Sequence, residues 1–273
     1  MSLATSATLS PPSRPLTDRV PFRQGVRQAL LMTRRNLMRI RTNPAELIGM
    51  LLMPVMFIAL FVFVFGGAIA GSTAAYLEFA IPGIIAQGVI MGSTATGTGL
   101  NTDLNNGVFD RIRTLPVARW ASLVGQILAD LVRVTAGMAL TFGIGSALGF
   151  RVQTGPVQAV CAFAVLIGFA FAFSWIQIFV GVLAKTPVVV QTMSLIIVFP
   201  LTFASSVFVP TRTFPSWLQA WSTVSPMSVI VNTVRGLMVG GDVAGPGLKA
   251  LIWAVALLCI FAPLSVWAYR RRI

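Results

Sequence analysis

Residues 103–121 read DLNNGVFDRIRTLPVARWA, the one substantial polar interruption between the first two apolar runs of the chain and the later ones. Asp103, Asp110, Arg111, Arg113 and Arg119 fall here within a helix-length segment. On both sides the sequence is apolar over stretches long enough to cross a bilayer, whose hydrocarbon layer of ~30 Å needs about 20 helical residues. These runs lie at 47–70, 79–100, 128–150, 157–183, 188–209 and 250–269. The expected fold is an all-α integral membrane protein of six transmembrane helices over 46–269, with 103–121 exposed between the second and third. Composition agrees: 56% of residues are hydrophobic and 10% charged, and a mean hydropathy of +0.86 lies outside the range of a soluble domain.

A net charge of +13 would suggest nucleic acid in a soluble protein, but here the arginines follow the membrane and no nucleic-acid partner is expected. Eight precede the first run (Arg14, Arg19, Arg23, Arg27, Arg34, Arg35, Arg39 and Arg41), three lie in the second connection, and Arg270, Arg271 and Arg272 close the last run. With six spans these segments and Lys185 share one side. The positive-inside rule makes it the cytoplasm, which places both termini there. Cys161 and Cys259 sit within apolar runs and no structural disulfide is expected. The absence of histidine removes histidine metal sites, Ser-His-Asp triads and histidine proton relays.

Residues 1–19, rich in Ser, Thr and Pro, read as a disordered cytoplasmic tail. Over 20–43 the pattern is that of an amphipathic helix: Phe22, Val26, Ala29, Leu30, Leu37 and Ile40 form one stripe flanked by arginines, which suits the inner headgroup layer and contact with membrane lipids. In the first run Pro54 is an expected kink. The second run differs in kind, because Gly83, Gly88, Gly92, Gly97 and Gly99 alternate with hydroxyl residues, and Gly88 and Gly92 have the spacing of close helix approach. Either it packs against protein or it faces a polar cavity; on the second reading Gln87, Ser93, Thr94, Thr96 and Thr98 would line a route. Asp130 and Arg133 share a helix face and are expected to form a structural ion pair, with proton handling as the alternative. A tight turn at Lys185-Thr186-Pro187 divides the fourth and fifth runs, and Pro200 should bend the fifth. In the long segment 210–247, Trp217 and Trp221 read as interfacial aromatics, and the run 227–234 is too short to span. It reads as a re-entrant or outer helix before the last span.

No GxxxxGK[ST] sequence occurs, so the chain has no Walker-type nucleotide site of its own, and no acidic pairing suggests metal-dependent chemistry. No cofactor, metal or catalytic residue is expected, and the chain does not read as an enzyme. Three patches carry a resemblance: the basic amphipathic helix; residues 107–119, GVFDRIRTLPVAR, followed by 128–133, LADLVR; and Phe214-Pro215-Ser216-Trp217 with Ser225-Pro226-Met227-Ser228, Val234-Arg235-Gly236 and Gly240-Gly241 behind it. In this order on six spans the chain resembles the membrane subunit of an ABC-2 type exporter, of the daunorubicin/doxorubicin-resistance permease group. One departure is Ser225-Pro226, where Asn-Pro commonly stands.

The resemblance implies a multi-pass protein of the prokaryotic cell membrane that pairs with a second permease, identical or different. Each permease docks on a separate ATPase subunit, where ATP and Mg2+ bind, and the pair exports a hydrophobic or amphipathic compound, drug or lipid-like. It also implies that the docking (coupling) helix comprises Asn106, Gly107, Val108, Phe109, Asp110, Arg111, Ile112, Arg113 and Leu115. On the residues alone two readings stand: Phe109, Ile112 and Leu115 make an apolar ridge for a partner's groove, or the segment is a solvated loop capping two spans. Alternatives for the whole chain are an ion-coupled secondary transporter using Asp130 and Arg133, and a non-transporting membrane assembly protein.

Overall fold

The computed structural model describes residues 52–106 and 119–272, together with Arg27, Leu30, Leu31, Thr33, Arg34 and Met38. Among the described residues all regular structure is helical. Helix α1 is Leu52–Ala70, α2 Thr73–Asn105, α3 Arg119–Ala147, α4 Pro156–Leu183 and α5 Pro187–Phe203. Two short helices, α6 (Ser216–Val224) and α7 (Pro226–Val239), precede α8 (Ala244–Arg272).

Five of these, α1, α2, α3, α4 and α8, are long and apolar enough to cross a membrane. The expected fifth span, 188–209, folds differently. Its helix has 17 residues, about 26 Å at the α-helical rise and short of the ~30 Å hydrocarbon layer. Pro200 lies in its last turn, and the helix stops at Phe203. Residues 204–208 then fold back over α2, where the Val207 carbonyl sits so close to Gly83 that a Cβ there would lie 2.5 Å from it. Among the described residues five helices thus have the length and composition of a span where the sequence suggests six, and α5 is a shorter apolar helix.

Helices α2 and α4 form the centre, with α3, α7 and α8 packed around them and α5 against α2. Ser72 starts α2 by accepting a hydrogen bond from the Ala75 N–H at 3.2 Å. The 33 residues of α2 would extend ~50 Å, well beyond the predicted 79–100. Where α2 crosses α4, Gly97 and Gly181 face each other: a Cβ on Gly97 would meet the Gln177 carbonyl at 2.3 Å, and one on Gly181 the Gly97 carbonyl at 2.5 Å. The expected Gly88–Gly92 approach is not the close one, since Gly88 has open space beside it and Gly92 receives the Val134 side chain.

Irregularity in α1 lies at Ile58–Phe65, wound as a π-helix, four residues beyond Pro54. Phe61 stacks on Phe208 of the return segment with centroids 4.0 Å apart, which ties this otherwise exposed helix to the bundle. Helix α8 begins earlier than the expected 250, where Asp242 accepts from the Ala244 N–H at 3.0 Å, and Gly245-Pro246-Gly247 lies in its first turn. Thr33, a described residue of the expected interfacial helix, is buried and donates to the Gly125 carbonyl of α3 at 3.2 Å. The rest of 20–43 lies largely outside the described residues, as does the tail 1–19.

Candidate functional site

Three polar clusters organise the bundle, one at each end and one between α2 and α3. Between α2 and α3, Arg133 Nη2 lies 3.1 Å from Asp130 Oδ1 and donates to the Gly92 carbonyl at 2.6 Å, while Gln126 Nε2 donates to Asp130 Oδ2 at 3.3 Å. A spacing of three residues on one helix turn brings the pair together. The Gly92 carbonyl is the partner that sequence reasoning missed, since it lies on another helix.

At the end shared by Asn105 and Lys185, backbone carbonyls are bound by side chains from other helices. Asn101 Nδ2 donates to the carbonyls of Gly181 (2.9 Å) and Ala184 (2.7 Å), and Asn105 Nδ2 to that of Lys185 (3.1 Å). Arg272 Nη1 donates to Gly181 (3.2 Å), Val182 and Ala184 (2.8 Å), so the last turn of α8 caps α4. Asn106 ends α2, its N–H donating to Thr102 at 3.0 Å. The remaining expected docking residues, Gly107, Val108, Phe109, Asp110, Arg111, Ile112, Arg113 and Leu115, lie outside the described residues.

At the opposite end lies a cluster that the sequence reading did not assemble. Helix α7, expected as a re-entrant or outer helix, is packed inside the bundle against α2, α4 and α8. From it Arg235 donates through Nε and Nη2 to the Phe79 carbonyl (both 3.2 Å), through Nη2 to Ser206 (2.8 Å) and through Nη1 to Asn232 Oδ1 (2.9 Å). Its guanidinium lies 3.8 Å over the Phe79 ring. Ser206 Oγ donates to Asn232 Oδ1 at 2.9 Å, and Tyr76 Oη donates to the Phe208 carbonyl at 2.6 Å. One cation therefore pins α2, α7 and the return segment. The signals in the sequence were Asn232 and Arg235 three residues apart and the place of Val234-Arg235-Gly236 among the patches of the resemblance.

The five expected route residues do not share a surface. Gln87, Ser93 and Thr96 are buried within the bundle, whereas Thr94 and Thr98 are half-buried on the less covered face of α2 with Gly88, Met91, Ala95 and Thr102. Ser93, Thr94 and Thr98 donate to carbonyls of their own helix, and the buried Thr96 hydroxyl has no partner among the described residues. Trp217 and Trp221 stand on one face of α6 and, with Phe203 and Pro200 of α5, wall an apolar hollow of about 600 Å³. Among the described residues no group of three or more His, Cys, Asp or Glu could hold a metal ion.

Among the described residues these polar side chains hold apolar helices to one another, the arrangement of a multi-pass membrane protein. Comparison with known sequences gives the family. The ABC-2 type transporter model matches residues 27–239, and the chain belongs to that family. It is 42% identical over 240 residues to the daunorubicin resistance ABC transporter permease protein DrrB1 of Streptomyces coeruleorubidus, covering 87% of this chain and 84% of that protein. To the probable doxorubicin resistance ABC transporter permease protein DrrC of Mycobacterium tuberculosis it is 29% identical over 248 residues, covering 90% and 89%. It is thus an ABC-2 permease with drug-resistance relatives, a multi-pass protein of the bacterial inner-membrane type.

Proposed function

We propose that this chain is the membrane half of an ATP-driven exporter that moves a hydrophobic or amphipathic compound out of the cytoplasm, powered by a separate ATPase subunit. The observation that carries the reading is its 42% identity, along nearly its whole length, to a permease named for daunorubicin resistance. The chain has no Walker sequence, so the energy enters from a partner. The ends of α2, α4 and α8 that carry Asn105, Lys185 and Arg272 face the cytoplasm, on the same grounds of positive charge that apply to the sequence.

In this reading residues 103–121, which join α2 to α3, are the coupling segment, and Asn106 to Leu115 sit on the ATPase. A second permease, identical or different, lies against the half-open face of α2, so that Thr94 and Thr98 face the route. Closure of the ATPase pair on ATP moves the segment, and the two attached helices turn together because Arg133 holds Gly92 of α2 from α3. Direction requires the two states to differ in their affinity for the compound. Asp130 and Arg133 are engaged with one another and with neighbouring groups, which lends no support to an ion-coupled alternative.

The test is to purify the tagged chain from its native host in mild detergent and identify its companions by mass spectrometry. A stoichiometric companion with a Walker A sequence is expected. Phe109→Asp should abolish its retention, and transport with it, while leaving membrane insertion intact. Wild-type transport by that variant would remove the docking assignment, and purification without any ATPase would remove the exporter reading.

A further inference from the structure

At the end where α4 gives way to α5, a cavity of about 350 Å³ is walled by Val182, Leu183, Lys185, Trp267, Arg271 and Arg272. Three of those side chains are cationic. Arg272 is committed to the carbonyls that end α4. The Arg271 guanidinium carbon lies 4.0 Å from the centre of the Trp267 ring, a cation–π contact, and its N–H groups donate to no described residue. The exposed Lys185 ammonium makes no hydrogen bond or ion pair among the described residues, and neither it nor Arg271 has an acidic partner there. Cations gathered at a cavity with no carboxylate beside them among the described residues call for an anion.

The surroundings specify what the anion is attached to. Leu183 and Trp267 are 59% and 51% exposed, so the cavity is continuous with the apolar outer surface. Ile260, Leu264 and Trp267 are exposed and share a face of α8 with Arg271, each about one turn from the next. A ligand seated with its charge between Lys185 and Arg271 would lay an apolar chain along that stripe, and a tryptophan at the stripe's end marks the hydrocarbon boundary.

We propose that this cavity binds the headgroup phosphate of an anionic phospholipid, clamped between Lys185 and Arg271 with an acyl chain against Ile260 and Leu264. Basic recesses between helices at the membrane surface suit such headgroups. A partner protein's carboxylates would satisfy the charge but not the apolar stripe beside it.

The full chain, purified in detergent with equal amounts of phosphatidylglycerol and phosphatidylcholine, is examined by native mass spectrometry. Retention of phosphatidylglycerol over phosphatidylcholine is expected, falling about fivefold for each contacting cation removed in Lys185→Gln and Arg271→Gln. Should the double variant fold poorly, Lys185→Glu alone, at an exposed side chain, must lower the preference by at least as much. Equal retention of both lipids, or a preference untouched by these substitutions, overturns the proposal. Displacement by millimolar inorganic phosphate would assign the site to a soluble anion instead. Loss of the lipid whenever the ATPase subunit is bound would assign it to that partner. The readout is binding by the permease and does not depend on whether it exports.

Discussion

Gly88 and Gly97 are nine residues apart on α2, half a revolution in helical phase, so they occupy opposite faces. Gly97 is pressed against the backbone of α4, while no described residue lies within 4 Å of a Cβ at Gly88. Gly97→Ala has no flexible side chain to displace and should cost about 1–3 kcal/mol, read as a lower melting temperature in detergent. Gly88→Ala should leave it unchanged or raised, since alanine favours a helix by about 1 kcal/mol. An equal fall in both would mean that the second permease proposed above packs directly on Gly88 and leaves no route there. Asp130→Asn leaves Arg133 with the Gly92 carbonyl but no countercharge and should lower the yield of folded protein; an unchanged yield would reduce the ion pair to a bystander.

Among the elements, α7 depends most on a single side chain. Removing the guanidinium in Arg235→Met orphans the carbonyls of Phe79 and Ser206 and costs about 3 kcal/mol, measured as lost thermal stability. Arg235→Lys should not restore it, because one ammonium cannot reproduce the fork that reaches Phe79, Ser206 and Asn232 together; full rescue by lysine would refute that geometry. How much of this was legible in the sequence follows from what each feature depends on. The bounds of α4 could be read to within a residue, because hydrocarbon selects for an uncharged length and Pro156 and Pro187 bracket the run. Where α5 ends could not, because Phe203 is followed by a segment held to Gly83 and Tyr76, over a hundred residues earlier. The Asp130–Arg133 pair was readable from its local spacing, whereas the Arg235 cluster was not, since two of its acceptors are backbone carbonyls that leave no pattern in a sequence. Helical phase separates Ser93 and Thr96 from Thr94 and Thr98, so the division of the route residues was latent in the sequence and left unused.

For the whole molecule, hydrogen bonds between distant segments define two ends. Arg272, Asn105 and Lys185 mark one; Arg235, Tyr76 and the contact from the Gln153 N–H to the Met238 carbonyl (2.9 Å) mark the other. Helix α5 runs between them although it is short, so Lys185 and Arg212 should lie on opposite sides of the membrane. With Cys161 and Cys259 replaced by serine, a membrane-impermeant maleimide applied to intact cells should label Arg212→Cys and should reach Lys185→Cys only after permeabilisation. Labelling of both from outside would mean that α5 turns back without crossing. The cap that Arg272 places on α4 also sets an order of events during synthesis. The carbonyls of Gly181, Val182 and Ala184 are made some ninety residues before the guanidinium that binds them, so until the final turn of α8 has left the ribosome this end is held by Asn101 and Asn105 of α2 alone. Ribosome stalling just short of that turn should leave it accessible to protease, and release should close it.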